Sequence, residues 1–173
     1  MAKYEGYKTV LVIVEIPTGS RNKYEYDERL GLFRFDRLLF SSVHYPADYG
    51  FIPETLAEDG DTLDALVLVT EPTFTGCAIE AKPVGLFKMW DEKGPDHKIL
   101  CVPIADPLWS YVDDLLEVPP HVLSEISNFF EIYKELEAKK TGIEGWEPKE
   151  NAYKIIEEAV ARYREKKAGK KVS

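Results

Sequence analysis

A chain of 173 residues, 45% hydrophobic and 31% charged, is long enough to bury one sizeable core and has the composition of an ordinary globular domain. Its formal net charge of -9 argues against a nucleic-acid or anionic-membrane partner. No apolar run approaches the ~20 residues that span a bilayer, and the start, MAKYEGYKTVLVIVEIP, lacks a secretion signal's long apolar segment and small-residue cleavage site.

In chain order, the apolar run Val10 to Val14 ends at a Pro17-Thr18-Gly19-Ser20 turn, and an extended stretch follows over Asn22 to Tyr26. Leu32 to Leu39, Ala65 to Val69, Ile79 to Met89 and Ile99 to Pro103 come next, separated by Gly, Pro and Asp. Short apolar runs at this spacing predict an antiparallel barrel or sandwich. Cys77 and Cys101 stand beside apolar residues and outside metal-ligand spacing, so buried reduced thiols in a cytoplasmic protein are expected. The period then changes. Val122, Leu123, Ile126, Phe129, Phe130, Tyr133 and Leu136 fall at helical spacing after Pro119-Pro120, which predicts a long helix carrying Tyr133 and Lys134. A second helix follows Pro148, with Ala152, Ile155, Ile156, Ala159 and Tyr163 on one stripe. From about residue 164 the charged tail is expected to fray. The expectation is α+β in a single domain over residues 1–173: a β-barrel with two main C-terminal helices packed outside.

The chemistry concentrates first in DGDTLD, residues 59–64, where Asp59, Asp61 and Asp64 crowd the mouth of the apolar run Ala65 to Val69. Like charges so close resist desolvation unless a cation compensates them. The stretch fails as an EF-hand loop, because Leu63 and Asp64 stand where an acid or Asn and then Gly are required. It differs from an aspartyl-phosphate site too, because the acids precede the strand instead of ending one. A second acidic cluster ends the Ile79 to Met89 run, with Asp91 and Asp96 flanking Gly94-Pro95. Oxygen-only ligands in loops suit Mg²⁺ or Mn²⁺ better than zinc. His97 has no metal partner at useful spacing and reads as a solvated histidine.

A third set has the opposite sign. Lys23 and Glu25 are two apart on an extended stretch and so share a strand face. Arg37 follows, then Tyr45 and Tyr49 beside a Pro-ordered loop, and later Tyr133 with Lys134. Singly, each Lys or Arg reads as a solvated surface charge. Together with metal-holding carboxylates, these donors make a phosphate-processing site.

The stretches VEIPTGSRNKYEYD, RFDRLLFSSVHYPADYGFIP, EDGDTLDALVL, KPVGLFKMWDEKGPDHKILCVP, FFEIYKELE and IEGW resemble the soluble family I inorganic pyrophosphatases of the short prokaryotic type, over nearly the full length. One departure is Thr62, where the family's acidic signature usually carries Pro. The resemblance implies a five-stranded barrel of the OB type and Mg²⁺-dependent hydrolysis of pyrophosphate to two orthophosphates. It implies direct in-line attack of a metal-activated water without a phospho-enzyme, with Mn²⁺ or a similar ion able to substitute. Asp59, Asp64 and Asp96 correspond to ligands of the tightly held Mg²⁺, and Asp91, Glu15 and Glu25 to acids serving the metals that arrive with substrate. Lys23, Arg37, Tyr49, Lys98, Tyr133 and Lys134 correspond to groups holding the phosphoryl ends, and Tyr45 to a supporting hydroxyl. The resemblance also implies that Asp61 stands beside the attacking water as its general base, with Asp96 as the alternative. Short members of this type are commonly homohexamers. The competing readings are a Mg²⁺-dependent phosphohydrolase of another small phosphate and a non-catalytic OB-type binding module.

Overall fold

The structure, a computed structural model, describes residues 9–170, and Lys170 by its backbone alone. Strand β1 (Val10–Ile16) alternates buried Val10, Val12, Val14 and Ile16 with half-buried neighbours, the period-2 mark of a sheet with one face in a core. β2 (Asn22–Asp27) and β3 (Leu32–Leu38) form a separate two-stranded sheet. The larger sheet adds β4 (Asp48–Ile52), β5 (Leu63–Val67), β6 (Ala78–Asp91), the two-residue β7 (Gly94–Pro95), β8 (Lys98–Pro103) and β9 (Gly142–Pro148). Helix α1 (Pro120–Ile132) precedes β9, and α2 (Lys149–Lys170) follows it.

Pairing runs β1–β4–β5–β8–β6, and β6 returns to β1, so five strands close a ring. Closure leaves those strands no free edge. The five-stranded barrel with two main helices is as expected, but its pairing is mixed: β5 and β8 run parallel, with Asp64 opposite Lys98. A parallel pair needs a long connection, and the excursion through β6 and β7 supplies it. β4 crosses β1 at Gly50, where a Cβ would lie 1.9 Å from the Ile13 carbonyl oxygen, so only glycine permits the approach.

Two buried clusters hold the fold. Ala152, Ile156, Ala159 and Val160 of α2 pack with Val12, Val14, Ala65 and Val67, while Ile126, Phe129 and Phe130 of α1 pack with Ile16, Leu66, Phe87 and Leu100. Burial of each large side chain contributes about 1.5–3 kcal/mol, and these side chains anchor the barrel rungs beneath the site.

Besides the mixed pairing, four sequence expectations need correction. α1 stops at Ile132, Tyr133 caps it, and a 3₁₀ turn over Glu135–Glu137 leaves Leu136 67% exposed instead of in the apolar stripe. α2 remains helical through residues 164–170, where fraying was expected; residues 171–173 lie outside the described residues. Cys101 is buried, but Cys77 is only half-buried; both are free. His97 is half-buried rather than solvated, with its Nδ1 sealed from solvent and without a hydrogen-bond partner.

Candidate active site

One cavity of about 860 Å³ collects nearly every residue singled out from the sequence: Glu15, Lys23, Glu25, Arg37, Tyr49, Asp59, Asp61, Asp64, Asp91, Asp96, Tyr133 and Lys134 all line it. Local irregularities aim several of them. The β1–β4 register shifts between Val14 and Ile16, so Glu15 is the extra residue of a bulge. In the β2–β3 pair Lys23 sits directly opposite Arg37, while a second shift leaves Asp36 unpaired between Arg37 and Phe35. Bulges re-aim side chains in this way beside functional sites. The β6–β7 hairpin presents Asp91 and then Asp96, and the loop before β5 presents Asp59 and Asp61. The left-handed Gly60 turns that loop, and the Asp61 N–H donates to Asp59 Oδ1 at 3.0 Å.

At the floor, the Lys98 ammonium lies 2.9 Å from Asp64 Oδ2, 3.1 Å from Asp96 Oδ1 and 3.1 Å from the Tyr49 hydroxyl. It also lies 5.1 Å from the centre of the Phe130 ring. Lys134 Nζ is 3.4 Å from Asp91 Oδ2 and 3.7 Å from Glu92 Oε2. Lys23 pairs with Glu25 and stands 3.7 Å from Asp36, and Arg37 bridges Asp36 and Glu137. Glu15 Oε1 accepts the Tyr26 N–H at 2.9 Å.

The acids outnumber the cations that serve them, and their titration reflects it. Burial pushes Glu15 up to about 7 despite the Tyr26 N–H, with Asp64 adding repulsion. Burial also raises Asp64 against the pull of Lys98, and it raises Asp59, whose Asp61 and Asp96 neighbours add to the effect. Asp96 goes the other way: burial acts to raise it, but Lys98 outweighs that and holds it below the usual carboxylate range. Burial acts to lower Lys98, and Asp64 and Asp96 more than reverse this. Burial, reinforced by Asp64 and Asp96, holds the Tyr49 and Tyr133 hydroxyls far above their ordinary value, so both are neutral donors.

Among the described residues no three acidic, His or Cys side chains converge as a ready-made metal cage. The lysines explain why: Lys98 stands between Asp64 and Asp96, and Lys134 beside Asp91 and Glu92. The chemistry of the donor set nonetheless fits hard divalent cations, being all oxygen and short of positive charge where burial is greatest.

Two sequence-chosen residues are not on the wall. Tyr45 is 2% exposed and lies beneath, its ring 5.4 Å from that of Tyr49 and 4.7 Å from that of Phe129. Lys98 is 1% exposed, covered by the carboxylates it serves. Sequence reasoning missed Asp36, although it adjoins Arg37, and Glu137, which meets Arg37 across 100 residues with no local signal. It also missed Tyr163, read as part of the apolar stripe of α2, and Lys166 and Lys167, because the tail was expected to fray.

A closed five-stranded barrel with acids, ammonium groups and neutral phenols on one cavity defines a class: a small barrel hydrolase acting on a phosphoanion. A family model described as inorganic pyrophosphatase matches residues 12–164. The chain is similar to the inorganic pyrophosphatase of Methanosarcina mazei, 58% identical over 156 residues that make up 90% of this chain and 92% of the relative. It is 50% identical over 157 residues to that of Halalkalibacterium halodurans, covering 91% and 96%. The crystal structure of inorganic pyrophosphatase from Thermus thermophilus superposes with a TM-score of 0.90 at 45% identity, covering 92% of this chain and 94% of that one. The chain belongs to the inorganic pyrophosphatase family, a membership that implies a divalent metal cofactor.

Proposed function

We propose that this protein hydrolyses inorganic pyrophosphate to two orthophosphates by direct in-line attack of water, with Mg²⁺ as cofactor and no phospho-enzyme. The observation that carries the reading is the meeting of under-compensated carboxylates with Lys, Arg and neutral Tyr donors in one cavity. Asp59, Asp64 and Asp96 would hold the tight ion, and Asp91, Glu15 and Glu25 the ions that accompany substrate. Bound Mg²⁺ supplies charge neutralisation and an acidified water. Lys23, Arg37, Lys98 and Lys134 hold and neutralise the phosphoryl oxygens, with Tyr49 and Tyr133 donating hydrogen bonds and Tyr45 bracing Tyr49 from below. Lys23, Arg37 and Lys98 also stabilise charge on the departing phosphate. Asp61 takes the proton from the attacking water. Its exposed carboxylate on the cavity wall suits that task better than Asp96, whose affinity for a proton Lys98 suppresses.

The test is phosphate release from pyrophosphate, ATP and a phosphomonoester, with and without Mg²⁺. Rapid turnover of pyrophosphate alone, and only with metal, is the expected result. Equal rates on ATP would move the assignment to a broader phosphohydrolase, and no release from any of the three would favour a binding module. Ca²⁺, larger and looser in its coordination, is expected to inhibit competitively with Mg²⁺. Turnover with Ca²⁺ alone at the Mg²⁺ rate would refute that tuning.

The cytoplasm is the proposed location. No helix among the described residues is long and apolar enough to cross a membrane. A homohexamer is the proposed assembly, supported by exposed apolar side chains such as Phe35 at 61% and Leu116 at 92%. Light scattering reporting a monomer at micromolar concentration would contradict it.

A further inference from the structure

Four more lysines line the cavity that the proposed chemistry does not use: Lys93, Lys139, Lys166 and Lys167. They arrive from three places: the β6–β7 turn, the segment after the 3₁₀ turn that follows α1, and the last turns of α2. All four are exposed. The floor cations Lys23, Lys98 and Lys134 are each engaged with carboxylates, whereas among the described residues none of these four ammonium groups has a carboxylate oxygen within 4.0 Å. Lys167 Nζ rests 5.8 Å from the centre of the Tyr163 ring, and Tyr163 also lines the cavity. Lys166 and Lys167 lie in the last turns of α2, beyond residue 164, where the match to the family model ends.

Scattered lysines on a helix are ordinarily solvent-facing charges with no task. Here they converge on one mouth, and that mouth has an electrostatic problem to solve. The chain carries a net charge of -9, and carboxylates outnumber cations on the cavity lining, so a polyanion approaching without bound metal meets repulsion first. Exposed cations that stand outside salt-bridge distance of any carboxylate offset part of that negative field where the anion enters, and electrostatic focusing of this kind raises association rates about 10- to 10³-fold. The cavity, at about 860 Å³, also exceeds what pyrophosphate fills, leaving room for an anion at the mouth before it reaches the floor.

We propose that Lys93, Lys139, Lys166 and Lys167 form an outer anion-capture tier that recruits pyrophosphate and hands it to the floor of the cavity. This rests on the pyrophosphate reading above. The test is the variant K93Q/K139Q/K166Q/K167Q, all at exposed positions where substitutions cost little stability. A control, K82Q/K88Q/K149Q/K154Q, makes the same change in net charge at lysines that do not line the cavity. At saturating Mg²⁺ and about 0.01 M ionic strength the rim variant should lose about tenfold in kcat/KM with kcat within about twofold of the parent. The deficit should vanish near 0.5 M salt, where the Debye length shrinks to a few ångströms. The control should follow the parent, and the corresponding four Lys→Arg changes should preserve capture. Identical salt profiles for parent and rim variant would overturn the tier, and so would an equal loss in the control. A fall in kcat at unchanged KM would also overturn it, since that assigns the lysines to the chemical step. Calorimetric titration of metal-free protein with pyrophosphate at low salt separates the two readings. A parent that binds more tightly than the rim variant yet releases no phosphate once Mg²⁺ is added would refute the hydrolytic reading and keep the tier, whereas equal binding would refute the tier alone.

Discussion

Asp48 and Asp64 sit near opposite ends of the same β4–β5 ladder, Asp48 opposite Val67 and Asp64 opposite Phe51, and they have opposite fates. Asp48 is 0% exposed and fully served. Oδ1 accepts from the Thr18 N–H at 2.8 Å and the Thr18 hydroxyl at 2.7 Å, and Oδ2 accepts from the Thr73 N–H and hydroxyl. Four neutral donors tie the turn after β1 to the loop after β5. Asp64 shares one ammonium with Asp96 and faces Glu15 across the cavity, so burial leaves it short of positive charge. A buried carboxylate whose hydrogen bonds are complete is a staple. One left incomplete beside other acids is a place where cations are wanted.

The sharpest way to break the comparison lies within the acidic loop. Asp61→Asn should lower the maximal rate about 10²- to 10⁴-fold, the scale of losing a general base, with no rescue by excess Mg²⁺. Asp64→Asn should weaken Mg²⁺ binding and recover part of its rate when Mg²⁺ is raised. A Mg²⁺ titration that follows metal binding and phosphate release separately checks both. Near-normal turnover in Asp61→Asn would remove its assignment, and full rescue would make it another ligand.

Asp48→Ala should reverse the pattern. Its two threonines lose their acceptor, at a cost of about 3 kcal/mol, which corresponds to about 6–12 °C in Tm for a chain of this size. Mg²⁺ affinity should be unchanged. Thermal melts and a metal titration of the same variant decide it, and an unchanged Tm would show that the clip holds nothing.

A smaller effect sharpens the contrast through pH. Glu15 titrates near 7 in the folded protein against 4.5 as an ordinary glutamate, so between those values the folded state binds more protons than the unfolded state. Metal-free protein should therefore lose stability as pH rises from about 4.5 to about 7, by up to about 3 kcal/mol, and level off above that. Mg²⁺ should stabilise more at pH 8 than at pH 5. Melts in chelator and in Mg²⁺ across that window test it, and metal-free stability rising with pH there would contradict the burial assigned to Glu15.

How much of this was legible in the sequence follows from what each element spends its residues on. β1, β5, β6 and β8 declared themselves because Val, Ile and Leu fill buried rungs. β4 did not, because DYGFI spends Asp48 on the staple and Gly50 on a close crossing. β9 hid behind the two glycines and the proline of GIEGWEP, even though it pairs along much of β6. The end of α1 was misread because Tyr133 continues the apolar spacing while acting as the cap. Most acids and donors of the site were legible by residue type, since dense carboxylates beside Lys, Arg and Tyr have few other uses, whereas Glu15 and Lys98 were reached only through the family resemblance. The bulges at Glu15 and Asp36 and the placement of the α2 lysines were not, because they depend on pairings between distant strands and on the path of a helix that composition marked as tail.

The parallel rung that sets Asp64 beside Lys98 has a consequence for how this site tolerates change in chain length. The two residues are 34 positions apart, yet their spacing is inherited from one backbone ladder and owes nothing to the length of chain between them. Residues could be added or deleted near Glu71 and Pro72, provided Thr73 keeps its grip on Asp48 and Thr75, Gly76 and Cys77 keep their hydrogen bonds to Val14 and Glu15, and the acid and the ammonium would still meet at the same rung. The gap between them is an architectural constant of the barrel, so insertions there should spare the floor of the site while the same insertions in DGDTLD would dismantle it.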